Sequence, residues 1–532
     1  MTDRPQQSSA SKLVGAAGLI AFGHVASRVL GLIRERVIAG YFGTSLEASA
    51  FRAAARLPTM VYDLLVGGML SAALVPVLAS YAATRRRELW RAASVLLSVV
   101  AAVTGLIALA VYAAAPWLAE MLGGGFPPEG VAVVEQSLRY IAPAIVAFGL
   151  AGTITGTLYA LERFSLPAMA GAVYNVVFIG ALVLIHDRLG VFALALGVTL
   201  GSFAQVAFLA PGLRDGRIRP TLDLRHPVVR RVVVLYIPIG VGLLVTQLQV
   251  WIDTRLASRA GEMGLAVMSY GTSLIQFPHG FVAVAISLAI LPQLSAAYAR
   301  DEVITFTRMQ ARGLRTVVAL TVPAAVGMAV LAEPIVGAVY QHGMFGDADR
   351  WAVSIALYGY LLGLPFAAID WPLNYAYYAR QNTLVPAVVG VFSVFAYLVV
   401  AVTLGPVLNL AGLPASLLFV GLVLADTAKQ ASHAGVMTVL TRRQVGPAAL
   451  AGMGRTAAAS VVAAAVMAAA VALNDRWLSG ALPQTTLGWA ARAGVGAAVG
   501  ILVYVPAARL LGVNEIGWLS GVVASRLRGG SG

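Results

Sequence analysis

The sequence predicts an all-α polytopic membrane protein of about fourteen transmembrane helices. They form two six-helix lobes in a parallel repeat, with an appended C-terminal helix pair. Three observations carry this prediction. Of the 532 residues, 59% are hydrophobic and only 11% charged, against about 25% charged in soluble proteins. Apolar runs long enough to cross a bilayer, about 20 residues or more, recur along the whole chain. Basic residues gather in every second loop between those runs, as the positive-inside rule requires of cytoplasmic loops.

The runs lie near 13–41, 49–81, 92–118, 131–160, 166–186, 190–212, 229–257, 264–298, 305–331, 351–378, 384–405, 411–440, 450–473 and 487–511. The first continues past any processing site into a full span, so it reads as a helix and not a cleaved signal. Several runs carry Gly or Pro mid-span: Gly31, Pro58, Gly67-Gly68, Pro278, Pro365 and Pro372. Such breaks are tolerated in membrane helices where the freed backbone lines a cavity or meets protein.

The loops set the orientation. Arg85-Arg86-Arg87 with Arg91, then Arg163, then Arg214, Arg217, Arg219, Arg225, Arg230 and Arg231 mark successive basic loops. Arg300, Arg308, Arg312 and Arg315, then Arg380, then Arg442-Arg443 continue the series, and the tail adds Arg526 and Arg528. The alternate loops are acidic or mixed, with Glu120 and Glu129, Asp187, Glu262, Asp347 with Asp349, and Asp475. This alternation predicts an even number of spans with both termini in the cytoplasm. It also accounts for most of the net charge of +14, nearly all of it arginine, since Lys12 and Lys429 are the only lysines. A nucleic-acid partner is therefore not expected.

Two matches at one offset reveal the repeat. Leu74-Val-Pro76-Val-Leu-Ala-Ser-Tyr81 ends the second span, and Ile290-Leu-Pro292-Gln-Leu-Ser-Ala-Ala-Tyr298 ends the eighth. Arg163-Phe-Ser-Leu-Pro167 opens the fifth span, and Arg380-Gln-Asn-Thr-Leu-Val-Pro386 opens the eleventh. The offset is close to 220 residues in both cases, or six spans, an even number that keeps the halves in the same orientation. The predicted organisation is a tail at 1–12, an N-lobe of spans 1–6 at 13–212, a basic cytoplasmic linker at 213–228, a C-lobe of spans 7–12 at 229–440, spans 13 and 14 within 441–511, and a C-terminal tail at 512–532.

Charge is embedded in the first two spans. His24, Arg28, Gly31 and Glu35 share one face of a helix, and Arg52, Arg56, Thr59 and Asp63 repeat that spacing on the next. Ionised groups at membrane depth cost several kcal/mol and usually face a bundle interior or a watery cavity. Two adjacent cationic stripes predict a cavity for something anionic. Arg34, Arg36 and Arg52 equally fit helix ends whose side chains reach the interface. If the repeat holds, spans 7 and 8 line the same cavity. Thr246, Gln249 and Asp253 share a face of span 7, followed by Arg255, and Ser269, Thr272, Gln276 and His279 share a face of span 8. Asp370 in span 10 is a candidate for ion coupling, against a packing role, and Asp426 with Lys429 is spaced for an internal ion pair.

The chain has no cysteine, which excludes disulfides, Cys-ligated metals and thiol catalysis. Its six histidines form no metal-spaced pair. Phosphate loops, dinucleotide fingerprints, kinase signatures and nucleophile elbows are absent, and no loop is long enough for a nucleotide-hydrolysing domain. An enzyme is not expected.

Ser27-Arg28-Val29-Leu30-Gly31-Leu32-Ile33-Arg34-Glu35 resembles the first-helix motif SRVLGxxRD/E of the MurJ (MviN) family, within the multidrug/oligosaccharidyl-lipid/polysaccharide exporter superfamily. Ala50-Phe51 with Leu57-Pro58, Ser71 and Val75-Pro76-Val77-Leu78, Gln276-Phe277-Pro278, Leu291-Pro292-Gln293-Leu294-Ser295, and the Tyr340–Phe345 loop extend the resemblance over nearly the whole chain. It implies a flippase for lipid II, the undecaprenyl-pyrophosphate-linked disaccharide-pentapeptide, working by alternating access in the bacterial cytoplasmic membrane. Two lobes would rock around a cationic cavity, and spans 13 and 14 would form a groove for the lipid tail. The motif positions carried over are Arg28, Arg34 and Glu35. Arg28 and Arg34 would hold the pyrophosphate bidentately, and Glu35 would orient Arg34 or gate the cavity. Arg52, Arg56, Asp253, Arg255 and Gln276 complete the candidate site. No cofactor is expected. The membrane potential, worth about 2.3 kcal/mol per charge per 100 mV, or a coupling ion would supply the energy. Expected partners are the lipid-linked glycan, membrane lipids and cell-wall synthesis proteins. Departures from the family pattern stand at Ser49, Tyr62, Asp63, Gly67 and Ser273. They leave open another polyprenyl-linked glycan as cargo, or a multidrug exporter. A scaffold of cell-wall synthesis is the alternative of another class, but a scaffold gains nothing from the cost of buried arginines.

Overall fold

Each apolar run is mainly helical where the chain is described. The computed structural model describes residues 5–64, 73–84, 86–410, 412, 414, 417–513 and 515. Gly67-Gly68, Ser71, Arg85, Arg526 and Arg528 lie outside the described residues, as do the side chains of Lys12, His24, Arg86 and Thr246. The helices are α1 (Pro5–Phe42), α2 (Leu46–Tyr62), α3 (Val75–Thr84), α4 (Arg86–Ala113), α5 (Ala115–Gly123), α6 (Pro128–Ala160), α7 (Ser165–Leu189), α8 (Phe192–Leu209), α9 (Pro227–Arg259), α10 (Gly264–Pro278), α11 (Ala285–Ala299), α12 (Val303–Val330), α13 (Ala332–Tyr340), α14 (Asp347–Ala379), α15 (Leu384–Leu410), α16 (Phe419–Gln444), α17 (Met453–Ala481) and α18 (Thr486–Leu510). A π-helical segment, His279–Val284, joins α10 to α11.

Ten of the helical stretches among the described residues are long and apolar enough to cross a membrane. The predicted spans that miss this mark are the first, second, seventh and twelfth, on α1, α2–α3, α9 and α16. The first, second and seventh cross stretches that, or whose side chains, lie outside the described residues, and the twelfth carries Asp426 and Lys429. The molecule is an all-α polytopic membrane protein.

The chain divides into two units at Ala266–Val267. In the first, α6 packs against α2, α4, α5 and α8, and α7 joins α1 to α8. Small residues allow the close approach that helix packing in lipid needs. A Cβ on Gly149 would press on Thr104. Thr104, Thr153 and Thr157 return their hydroxyls to carbonyls of their own helices, at 2.6, 2.9 and 2.9 Å, so these three hydroxyls are paired within an apolar interior.

The basic linker is stitched down along its length. The Arg219 and Thr221 amides donate to Ser94 and Ser98 of α4 at 3.1 and 2.8 Å. Arg163 donates to the Gly212 carbonyl at 2.7 Å and pairs with Asp215. Gly216 lies so close to the Trp90 ring that no larger residue fits.

The sequence repeat places α9 at the head of the second lobe, but the helix packs in the first unit. Val228 and Val232 share a cluster with Leu74, Leu78 and Leu89, and the Tyr236 hydroxyl donates to the Leu64 carbonyl. At the other end, the Gly124-Gly125 turn abuts Arg255, Ser258 and Arg259 too tightly for a side chain. The repeat is nonetheless visible locally. The second span is interrupted by π-type turns at 63–64 and 73–74, and the eighth by the π segment at 279–284.

In the second unit α12, α14 and α16 pack together, with α15 on α16. The C-terminal pair is more than a lipid-facing appendage. Ala463, Ala464, Met467 and Val471 of α17 and Tyr504 of α18 form a buried cluster with Val318, Ala319 and Val322 of α12. The Tyr504 hydroxyl donates to the Ala319 carbonyl at 2.6 Å. Arg492 pairs bidentately with Asp475 at 2.8 and 2.7 Å and lies on the Trp489 ring.

Candidate functional site

The site begins with a tight reversal. Gly43 ends α1 at φ 54°, a left-handed backbone that glycine adopts without strain. Ser45 then caps α2, its Oγ accepting the Ala48 amide at 3.2 Å. Glu35 stands about as far before this turn as Arg52 stands after it. Equal rise along both helices therefore brings the two side by side.

The Glu35 carboxylate bridges two arginines. Oε2 accepts from the Arg52 guanidinium at 2.8 Å, and Oε1 from Arg34 at 2.9 Å. The Glu35 and Arg52 side chains are 8% and 9% exposed, and that of Arg34 27%. Buried charges survive only when paired and hydrogen-bonded. Here two guanidinium groups share one carboxylate in an apolar unit. Arg34 also donates to Asn175 Oδ1 at 3.2 Å and lies 5.4 Å over the Phe178 ring. Two of its five N–H groups are thus directed at Glu35 and Asn175.

Asn175 is set by the crossing of α1 with α7. Gly23 and Ser27 of α1 meet Ala168 and Gly171 of α7, and a Cβ on Gly23 would overlap the Ala168 carbonyl. That approach lets Asn175 Nδ2 donate to the Ser27 carbonyl at 3.3 Å and to the Gly171 carbonyl at 2.9 Å, turning its Oδ1 to Arg34. Gly23→Val is expected to push the helices apart, lower stability by about 1–3 kcal/mol and loosen Arg34. Thermal melting of the purified protein reads the first effect, and a melting point equal to wild type contradicts it.

Arg34, Glu35 and Arg52 thus come together, with Asn175 as a member that sequence reasoning missed. The available signal was a lone amide in an otherwise apolar span, which must find a partner there. Arg28 lies on α1 with its side chain exposed, and Arg56 on α2, one turn beyond Arg52, is half-buried. Asp253 of α9 is half-buried, and Arg255 donates to the Glu120 carbonyl, a tether to the end of α5. Gln249 is buried, while Gln276 on α10 is exposed. The positions that depart from the family pattern serve packing. Ser49 Oγ accepts the Ala266 amide at 3.2 Å, Tyr62 meets Phe148 edge-on at 5.2 Å, Asp63 accepts from Gln247, and Ser273 donates to the Ser269 carbonyl at 2.9 Å.

The second unit holds an apolar groove of about 490 Å³ between α12, α13, α17 and α18. Gly327, Gly496 and Gly500 open it, and Leu320, Met328 and Met467 form part of its wall.

A family model described as lipid II flippase MurJ matches residues 38–484. The lipid II flippase MurJ of Burkholderia cenocepacia is 30% identical over 376 residues, covering 69% of this chain and 73% of that protein. The probable lipid II flippase MurJ of Vibrio cholerae is 30% identical over 390 residues, covering 70% and 74%. Among solved structures, the lipid II flippase MurJ in an inward closed conformation superposes with a TM-score of 0.76 at 21% identity, over 94% of this chain and 99% of that one. An inward-facing multidrug resistance MATE family transporter of the MOP superfamily gives 0.64 at 14% identity, over 79% and 94%. At those identities the structures establish the fold.

Proposed function

The chain belongs to the lipid II flippase MurJ family, and on that premise we propose that it carries lipid II across the bacterial cytoplasmic membrane by alternating access. The observation that carries this reading is the Arg34–Glu35–Arg52 cluster, which sets two guanidinium groups in an apolar unit. A pyrophosphate is met by guanidinium forks, which suit an anionic cargo better than a cationic drug. Arg34 contacts the pyrophosphate, Arg28 meets it at the exposed face of α1, and Glu35 holds Arg34 and Arg52 in place. The apolar groove beside α17 and α18 takes the polyprenyl tail.

The step needs no covalent chemistry and no cofactor. The membrane potential drives it, since a charged cavity that changes sides moves charge through the field. The arginine-rich loops support an orientation with both termini in the cytoplasm.

Depletion of the protein in its host, followed by assay of lipid II on the outer face of the cytoplasmic membrane, tests the reading. Accumulation of lipid II on the inner face with cell lysis is the expected result. Normal delivery of peptidoglycan precursors would assign the protein another cargo.

A further inference from the structure

A polar pair in the second unit has no part in cargo binding. Asp370 lies in α14 between two prolines, Pro365 and Pro372. Each proline lacks an N–H and leaves a carbonyl one turn earlier without its helical partner. The Asp370 Oδ1 approaches His433 Nδ1 of α16 at 2.9 Å, and the two side chains are 11% and 12% exposed. Neither atom has a well-aligned hydrogen-bond partner, so a buried carboxylate oxygen and an imidazole nitrogen lie within reach of one shared proton. One turn further along the same face of α14, the buried Asn374 Oδ1 has no hydrogen-bond partner. Trp371, the next residue after Asp370, donates its indole N–H to His279 Nε2 on the π segment at 2.8 Å.

The charged surroundings are sparse. Lys429 of α16, one turn before His433, acts on Asp370 electrostatically, and Asp426 precedes it on the same helix. Arg308, Arg312 and Arg315 lie on α12, which supplies Gln310 to the Pro372 carbonyl at 2.9 Å. Glu333 lies on α13, whereas α11 and α15 carry no charged residue.

We propose that Asp370 and His433 form a proton-binding site that takes up and releases one proton in each transport cycle. The proposal rests on the flippase reading above. In the loaded state the proton bridges Nδ1 and Oδ1, and the pair is neutral overall. On release the proton passes to water, and the carboxylate faces a neutral imidazole with only Lys429 to balance it. Only an N–H or O–H bond forms or breaks. An apolar bundle magnifies such a change of one charge, and aspartate–histidine pairs within membranes serve as proton relays. The proline-flexed stretch of α14 is the element that responds. A metal cation suits the place less well, because the Lys429 ammonium acts on the carboxylate, and no cluster of three metal-binding side chains occurs among the described residues.

The test uses the full-length protein in phosphatidylethanolamine–phosphatidylglycerol vesicles. Infrared difference spectra are taken between about pH 5 and pH 8. The wild type is expected to give carboxyl and imidazole bands that are lost in Asp370→Asn and in His433→Gln. Flipping of fluorescent lipid II should change severalfold over the same interval in the wild type and stay flat in both variants. If Asp370→Asn fails to fold, His433→Gln decides. The proposal is overturned if a folded variant keeps the wild-type spectrum, or if wild-type flipping ignores pH and follows sodium instead. A wild type that keeps the bands but moves no lipid II overturns the flippase reading and leaves the proton site standing.

Discussion

Glu35→Ala is expected to lower the stability of the protein by about 3–5 kcal/mol and to abolish lipid II movement. The magnitude follows from what the substitution leaves behind. Removing one partner of a buried ion pair strands an uncompensated charge, at a cost of about 3–5 kcal/mol. Here it strands two, because Glu35 is shared by Arg34 and Arg52 at 2.9 and 2.8 Å. The two guanidiniums would then be left without the carboxylate that joins them. Glu35→Gln keeps the shape but turns an amide NH₂ toward at least one arginine, so it should rescue only part of the loss. Arg52→Ala should cost less, because Glu35 retains Arg34. Chemical unfolding of the three purified variants, with complementation of a depleted strain, reads both effects. A Glu35→Ala protein as stable as wild type would mean that the carboxylate does not hold the cluster together.

Much of this cluster was legible in the sequence. Charge on a helical face in a chain this apolar has few explanations, and the stripes on the first two spans pointed to a shared site. The pairing within the cluster was not legible. Helical periodicity put Arg28 with Glu35 and treated Arg34 and Arg52 as equally suited to helix ends. The structure joins Glu35 to Arg34, its neighbour in sequence, and to Arg52 across the turn at Gly43. Long side chains on adjacent positions can converge when a third group sits between their faces, and spacing alone does not register that. Asn175 was invisible for a related reason, because its role depends on the α1–α7 crossing at Gly23 and Gly171. The fold itself was readable because the period and length of apolar runs are local properties. The assignment of α9 was not, since the repeat records ancestry while packing follows Val228, Val232 and Tyr236.

Arg34→Ala should slow lipid II flipping at low cargo concentration by at least about a hundredfold while leaving the protein folded. A hydrogen bond to a charged group contributes about 1.5–3 kcal/mol, so losing a bidentate contact costs about 3–6 kcal/mol, and each 1.4 kcal/mol is about tenfold. The fold should tolerate the change. The Arg34 side chain is 27% exposed, and its loss leaves Glu35 balanced by Arg52. Arg34→Lys separates charge from geometry. It keeps the charge but not the planar fork that Glu35 and Asn175 hold in one orientation. If preorganisation carries the binding, the lysine variant should fall well below wild type and closer to alanine. If charge alone attracts the cargo, it should flip nearly as well as wild type. Arg28→Ala supplies the comparison, since Arg28 is more exposed than Arg34 and should matter less. Wild-type flipping by Arg34→Ala in the vesicle assay would remove Arg34 from the site and return the choice of pyrophosphate ligand to Arg28 and Arg56.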